Sequence, residues 1–142
     1  MAVLYAAEAT KYLNTTPVSM ADATAHGGIL RRYRATVTMA TQTTSDTIVL
    51  AKIPAGSAFA FGILSASATL GGTATIAIGI TGSTGKYRAA ATHTVTTPTM
   101  FGVHAAMSAA PSTAEETIFI TIAEASLPSS GTFIVDLYFS GV

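Results

Sequence analysis

Thr117-Ile118-Phe119-Ile120-Thr121-Ile122-Ala123 and, one loop later, Thr132-Phe133-Ile134-Val135-Asp136-Leu137-Tyr138-Phe139-Ser140 are the stretches whose reading decides the fold. In the first, Ile118, Ile120 and Ile122 share one face, against Thr117, Phe119 and Thr121 on the other. In the second, Phe133, Val135, Leu137 and Phe139 share a face, and Asp136 lies opposite them. A period of two marks a strand buried on one side, whereas a helix would need a period near 3.6. Leu127-Pro128-Ser129-Ser130-Gly131 between them is a loop by its proline and glycine.

Working back along the chain, the same pattern recurs. In Arg31 to Met39, the residues Tyr33, Ala35, Val37 and Met39 alternate with Arg32, Arg34, Thr36 and Thr38, giving a half-buried strand with one wet face. Thr41 to Asp46 is a polar turn. Thr47 to Ile53 is apolar nearly throughout, which predicts a central strand. After the turn Pro54-Ala55-Gly56, the stretch from Ser57 alternates Phe59, Phe61 and Ile63 with small residues. Gly71-Gly72 is a tight-hairpin signal, and Ile76, Ile78 and Ile80 mark the next strand. Gly82 to Gly85 reads as a loop, Lys86 to Ala91 as a helical turn or irregular strand, Val95 to Val103 as a strand, and Ala105 to Glu115 as a loop around Pro111. About seven or eight short strands with Gly or Pro turns, and no helix-long periodic segment, predict an all-β antiparallel sandwich or jelly roll.

Residues 1–30 read differently. Thr15-Thr16-Pro17 and His26-Gly27-Gly28 interrupt a weak pattern, so an extended N-terminal arm with one helical turn is expected, followed by a β-sandwich domain over residues 31–142. Leu4, Tyr5, Tyr12 and Leu13 are too apolar for a solvated tail and want a surface, on this domain or a neighbour.

Composition points the same way. The chain has 142 residues, enough for one core, and 27 Ala, 24 Thr, 12 Gly and 12 Ser make it unusually rich in small side chains. Only 14 residues are charged, and between Ile53 and Ala114 the only ones are Lys86 and Arg88. A free-standing domain carries about a quarter charged residues, and a surface this poor in charge associates. Self-association or cover by other subunits is therefore expected. The net charge of zero gives no electrostatic reason for a nucleic-acid partner. No apolar run approaches the roughly 20 residues of a membrane helix, and Met1 to Glu8 lacks the basic and apolar regions of a secretion signal, so no membrane partner is expected. There is no cysteine for a disulfide or thiolate site.

The candidate chemistry fails on spacing. Gly79 to Lys86 approaches a phosphate-binding GxxxxGK[ST] loop, but its first glycine is one position early and Tyr87 stands where the magnesium-binding hydroxyl belongs. His26, His93 and His104 have neither the pair spacing nor the neighbouring carboxylates of a metal site. Of the seven carboxylates, Glu115-Glu116 reads as a solvated pair and Asp136 lies on a face that is exposed or in an interface. The serine-hydrolase GxSxG elbow is absent. No catalytic, cofactor-binding or metal-binding residue is predicted, and the chain reads as non-enzymatic. The one dense charge feature is Arg31-Arg32-Tyr33-Arg34, while Glu115, Glu116, Glu124 and Asp136 make the C-terminal part acidic. That asymmetry suits pairing either within the fold or head-to-tail between copies.

The run from Asp46 to Gly56, the strand ending in Leu70 to Gly79, the segment Gly85 to Ala91 and the final apolar strand resemble small virion proteins of tailed bacteriophages, some of them capsid decoration (cement) proteins. The resemblance covers about Arg31 to Val142 and is one of strands and turns. It implies a chain made in the host cytoplasm that becomes part of the virion. There it would oligomerise, with a trimer favoured, and clamp onto the major capsid protein or other virion proteins. Leu4, Tyr5, Tyr12 and Leu13 of the arm, with Arg31, Arg32 and Arg34, are the expected protein-interface residues. Rival expectations are another head or tail accessory component (a fibre base, tail tube or connector) or a receptor- or carbohydrate-binding sandwich. The last is disfavoured by the absence of tryptophan.

Overall fold

The computed structural model describes residues 27–141. Eight strands form: β1 (Ile29–Thr38), β2 (Thr47–Ile53), β3 (Ala58–Ala66), β4 (Thr75–Ile80), β5 (Ser83–Ala91), β6 (Thr99–Phe101), β7 (Glu116–Ala123) and β8 (Thr132–Gly141). One helical turn, α1 (His104–Met107), lies between β6 and β7. The strands make two four-stranded antiparallel sheets, ordered β1-β8-β3-β6 and β2-β7-β4-β5.

The pairing follows one rule. β1 pairs with β8, β2 with β7, β3 with β6 and β4 with β5. A long hairpin folded at the β4–β5 turn and wrapped over itself has this connectivity, which is the jelly roll. Strands alternate between the sheets until that turn and again after it, so each loop except the one at residues 81–82 crosses from one sheet to the other.

The faces of both sheets that meet carry the expected alternation. Phe133, Val135, Leu137 and Phe139 of β8, with Val37 of β1 and Leu64 of β3, face Ile118, Ile120 and Ile122 of β7 and Ile76 and Ile78 of β4, all buried. Phe59, Tyr87 and Phe139 pack as a ring cluster at one end of this core, with centroids 4.7 to 5.6 Å apart. Edge-to-face rings at this spacing add to what their area alone contributes.

Several expectations need correction. β2 is an edge strand, not a central one. Its register with β7 shifts between Val49 and Ala51, so Ile48 and Leu50 and then Ala51 and Ile53 turn inward, and a continuous apolar run serves one face. β3 carries a similar shift between Phe59 and Phe61, so Phe59 points into the core while Phe61 and Ile63 point out, leaving Gly62, Leu64 and Ala66 on the inner side. Gly71-Gly72 lies in the loop that carries the chain from β3 to β4 in the other sheet. The tight hairpin is instead at residues 81–82, where Ile80 pairs with Ser83. Residues 86–91 belong to β5, a strand whose two register shifts hid its period. β1 begins at Ile29, two residues earlier than read.

The loops at the two ends are tied across the sheets by backbone hydrogen bonds. At the end where the chain enters β1, Gly56 N–H donates to the Ser112 carbonyl and Ser112 N–H to that of Ser57. At the far end, Met39 donates to Gly131, Thr41 to Pro128, Leu127 to Gln42, and Leu70 to His93. No helix among the described residues is long and apolar enough to cross a membrane.

Candidate functional site

The outward face of the β1-β8-β3-β6 sheet is the most distinctive surface. The inward residues of β8 are all apolar, so period two sends Ile134, Asp136, Tyr138 and Ser140 out. Register then sets their neighbours: Arg34 and Ile63 flank Asp136, Arg32 and Phe61 flank Tyr138, and Thr36 and Ser65 flank Ile134. Phe61 and Tyr138 stack with centroids 4.5 Å apart and planes 16° apart. Met100 of β6, next to Ile63, is 69% exposed. An outer sheet face is expected to be polar where water covers it; here rings and branched aliphatics surround one ion pair.

That pair is Arg34–Asp136. The guanidinium donates two parallel hydrogen bonds, Nε to Oδ1 at 2.8 Å and Nη2 to Oδ2 at 2.7 Å. Asp136 is only 6% exposed although it points outward, because β8 is central and its neighbours' side chains lie over it. The Arg34 hydrogen bonds, with Coulomb attraction to Arg34 and Arg32, hold its carboxyl below the usual carboxylate range in spite of burial.

The three arginines of β1 do not act as one cluster. Arg32 and Arg34 lie on the outward face. Arg31 shares the face of Phe139 and reaches over Gly141 at the chain-entry end. Arg31 and Arg32 have no carboxylate partner among the described residues. Leu4, Tyr5, Tyr12 and Leu13 lie outside the described residues, as does His26.

The basic and acidic parts of the chain meet within the fold. Besides Arg34–Asp136, Lys86 Nζ lies 2.5 Å from Glu116 Oε1 and Lys52 Nζ 4.0 Å from Glu115 Oε1. Lys86, Tyr87 and Glu116 form the second polar cluster. The Tyr87 hydroxyl donates to Glu116, and the phenol's pKa is pushed far above its ordinary value, first by burial and then by that carboxylate. A phenol held so firmly protonated stays neutral near physiological pH. The cavity beside it, between Ser57, Ser112 and α1, is about 30 Å³, the room of a water molecule. This cluster anchors β5 to β7. Among the described residues no three His, Asp or Glu side chains gather as metal ligands. His93 is 4% exposed at the far end, and its Nε2 has no hydrogen-bond partner among the described residues.

No protein-family model and no curated protein matches the sequence. Solved structures do match in fold. A chain of the cyanophage Pam1 capsid asymmetric unit superposes with a TM-score of 0.66 at 18% identity, covering 81% of this chain and 86% of that one. A chain of the capsid of Ralstonia phage GP4 does so with the same four values. A chain of the acidic stable capsid structure of Helicobacter pylori bacteriophage KHP30 gives a TM-score of 0.59 at 8% identity, covering 79% and 87%. At these identities the shared property is the fold.

Phe61, Ile63, Met100, Ile134 and Tyr138 were not singled out as interface residues from sequence. For Ile134 and Tyr138 the signal was present, since both fall opposite the core residues of β8. For Phe61 and Ile63 it was not, because the β3 bulge reverses their side.

Proposed function

We propose that this chain is a non-enzymatic structural component of a tailed-phage virion, of the capsid decoration (cement) type. In this reading it is made in the host cytoplasm, self-associates, with a trimer favoured, and binds across boundaries between copies of the major capsid protein or other virion proteins. The observation that carries it is the outward face of the first sheet, where a stacked ring pair and aliphatic side chains surround the Arg34–Asp136 pair, on a chain that has little charge to keep it apart from others. The fold shared with chains of phage capsids supports it. Leu4, Tyr5, Tyr12 and Leu13, with Arg31, Arg32 and Arg34, supply the remaining contacts. A protein that binds only the assembled shell stabilises it by mass action and needs no chemistry.

The test has two measurements. Light scattering gives the mass of the free protein, where a trimer is expected. Co-sedimentation then uses heads of its own phage stripped of this chain, which are expected to rebind it and to resist heat better afterwards. A monomer that leaves with the supernatant overturns the proposal. Localisation in the intact particle by electron microscopy separates a head surface position from a tail or connector one.

A further inference from the structure

The jelly roll has four edge strands, and three of them are blunted. β6 is three residues long. β2 has a register shift at Val49/Ala51, and β5 has two opposite β4. β1 is ten residues long, contains no proline and pairs with β8 in unbroken register from Ile29↔Gly141 to Thr38↔Thr132. Its other edge has no partner strand among the described residues. An edge of this kind is a template for a further strand.

One hydrogen bond fixes which backbone groups lie on that edge. Met39, one residue past the Thr38↔Thr132 pair, donates its N–H to the Gly131 carbonyl. In an antiparallel pair, alternate residues turn both backbone groups toward the partner strand, and those between turn both away. The odd-numbered residues of β1 therefore bond to β8, while Leu30, Arg32, Arg34, Thr36 and Thr38 point N–H and C=O to the open edge. At the far end a side chain takes the place of a strand. Gln42 Nε2 donates to the Thr38 carbonyl at 2.9 Å, and Gln42 Oε1 accepts from the Ala40 N–H at 2.8 Å. Residues 30–36 have no such cover among the described residues. The core is open along the same stretch: Tyr33 and Ala35 face inward yet remain half-buried, where Val37 on the same face is buried.

We infer that the edge from Leu30 to Thr36 takes an extended segment of another protein as a fifth strand of this sheet, and that this segment carries a carboxylate opposite Arg32. Main-chain bonds to Leu30, Arg32, Arg34 and Thr36 would give affinity, and side chains the selection. Arg34 is already held by Asp136, whereas Arg31 and Arg32 have no carboxylate among the described residues. Opposite charges across a strand pair stabilise it and like charges destabilise it, so these arginines repel a basic strand and admit an acidic one. A second copy of β1 is the poorer occupant. Antiparallel pairing over the whole of residues 30–36 would set Arg32 of each copy against Arg34 of the other. Apolar side chains opposite Tyr33 and Ala35 would close the open margin of the core. This inference rests on the virion reading, which supplies the other protein, and deepens it by naming the kind of segment that binds.

Hydrogen exchange tests it on the full chain, free and bound to heads of its own phage stripped of this chain. Exchange is quenched in acid and resolved amide by amide by fragmentation mass spectrometry. In the dilute free chain the amides of Arg32, Arg34 and Thr36 are expected to exchange at least tenfold faster than those of Tyr33, Ala35 and Val37. On heads they are expected to slow to match. If they are already slow in the free chain, its own N-terminal residues or a second copy holds the edge; if they stay fast on heads, nothing does. Either result overturns this inference and leaves the virion reading standing. A chain that does not bind heads overturns both. Thr36→Pro removes an edge N–H and no bond to β8, so circular dichroism should be unchanged while head binding weakens at least tenfold. Thr36→Val keeps the N–H and should bind as the native chain does. Arg32→Glu should weaken binding at least tenfold. Native binding by both Thr36→Pro and Arg32→Glu refutes the strand addition, and loss of the fold in Thr36→Pro refutes the placing of its N–H on the open edge.

Discussion

Consider Gly62→Ala in β3. A Cβ on Gly62 would fall 2.2, 2.5 and 2.7 Å from Cζ, Cε2 and Cε1 of the Phe101 ring, whose tip meets the glycine. Contacts this short cannot persist, and a ring has no flexible end to yield. Phe101 sits on β6, a three-residue strand held to the fold by its pairing with residues 62–64 of β3, so the ring and the strand must move together. Overpacking of this kind costs about 1–3 kcal/mol. Replacing a strand glycine by alanine recovers about 0.5–1 kcal/mol from the unfolded chain, leaving a net loss of about 1–2 kcal/mol. For a domain of this size that is a fall in Tm of about 4–8 °C. Phe101→Ala alone forfeits a half-buried ring, worth about 1–2 kcal/mol by area. In the double variant the clash has no second partner, so adding Gly62→Ala to Phe101→Ala is expected to be neutral or slightly stabilising. The assay is urea unfolding of the four proteins, read as a double-mutant cycle. Additivity within about 0.5 kcal/mol would refute the contact as the cause.

Four further outcomes are expected. Arg34→Met should lower Tm by more than Asp136→Asn at pH 7, because the first strands a carboxylate that is 6% exposed and the second frees a guanidinium whose side chain is 48% exposed. Asp136 titrates lower when folded than unfolded, so its contribution is present above the ordinary carboxylate range, near pH 4, and is lost as pH falls through its folded value; the gap between wild type and Arg34→Met should narrow there, and a gap constant down to pH 2 would contradict this. Burial, then Arg88, lowers the His93 pKa, so the unfolded chain takes up the proton first as pH drops below about 6.5; thermal scans from pH 7 to 5 should show a steeper loss in wild type than in His93→Phe, and equal slopes would refute it. Met100→Glu, at a side chain 69% exposed, should leave stability within about 0.5 kcal/mol but weaken self-association at least tenfold by sedimentation velocity; unchanged association would remove this face from the interface.

How far the sequence could be read depended on whether parity was kept along a strand. β4, β7 and β8 hold one phase throughout the sequence segments that cross the core, and Ile76, Ile118, Ile120, Phe133 and Val135 were legible as core from alternation alone. β2 and β3 change phase at bulges. A bulge inserts a residue without any residue type to announce it, so Phe59 and Phe61 look equivalent in sequence and end on opposite sides. Gly71-Gly72 misled because a loop between sheets and a hairpin within one ask for the same residues. The separation of Arg31 from Arg32 and Arg34 followed from period two. The Arg34–Asp136 pair needed one more fact, that the first strand pairs with the last, across 102 residues of chain. No local pattern carries that.

The wrapped pairing has a kinetic side. Apart from the β4–β5 hairpin, most contacts join residues far apart in sequence, and folds dominated by such contacts form slowly, on the scale of milliseconds to seconds. β1 and β8 together form the middle and one margin of the apolar outward face, and neither can pair before residues 132–141 have been synthesised. The face that invites association is therefore among the last features to exist. A chain that stops short of residue 132 cannot present it. The order of the strands acts as a clock that withholds sticking until folding is done.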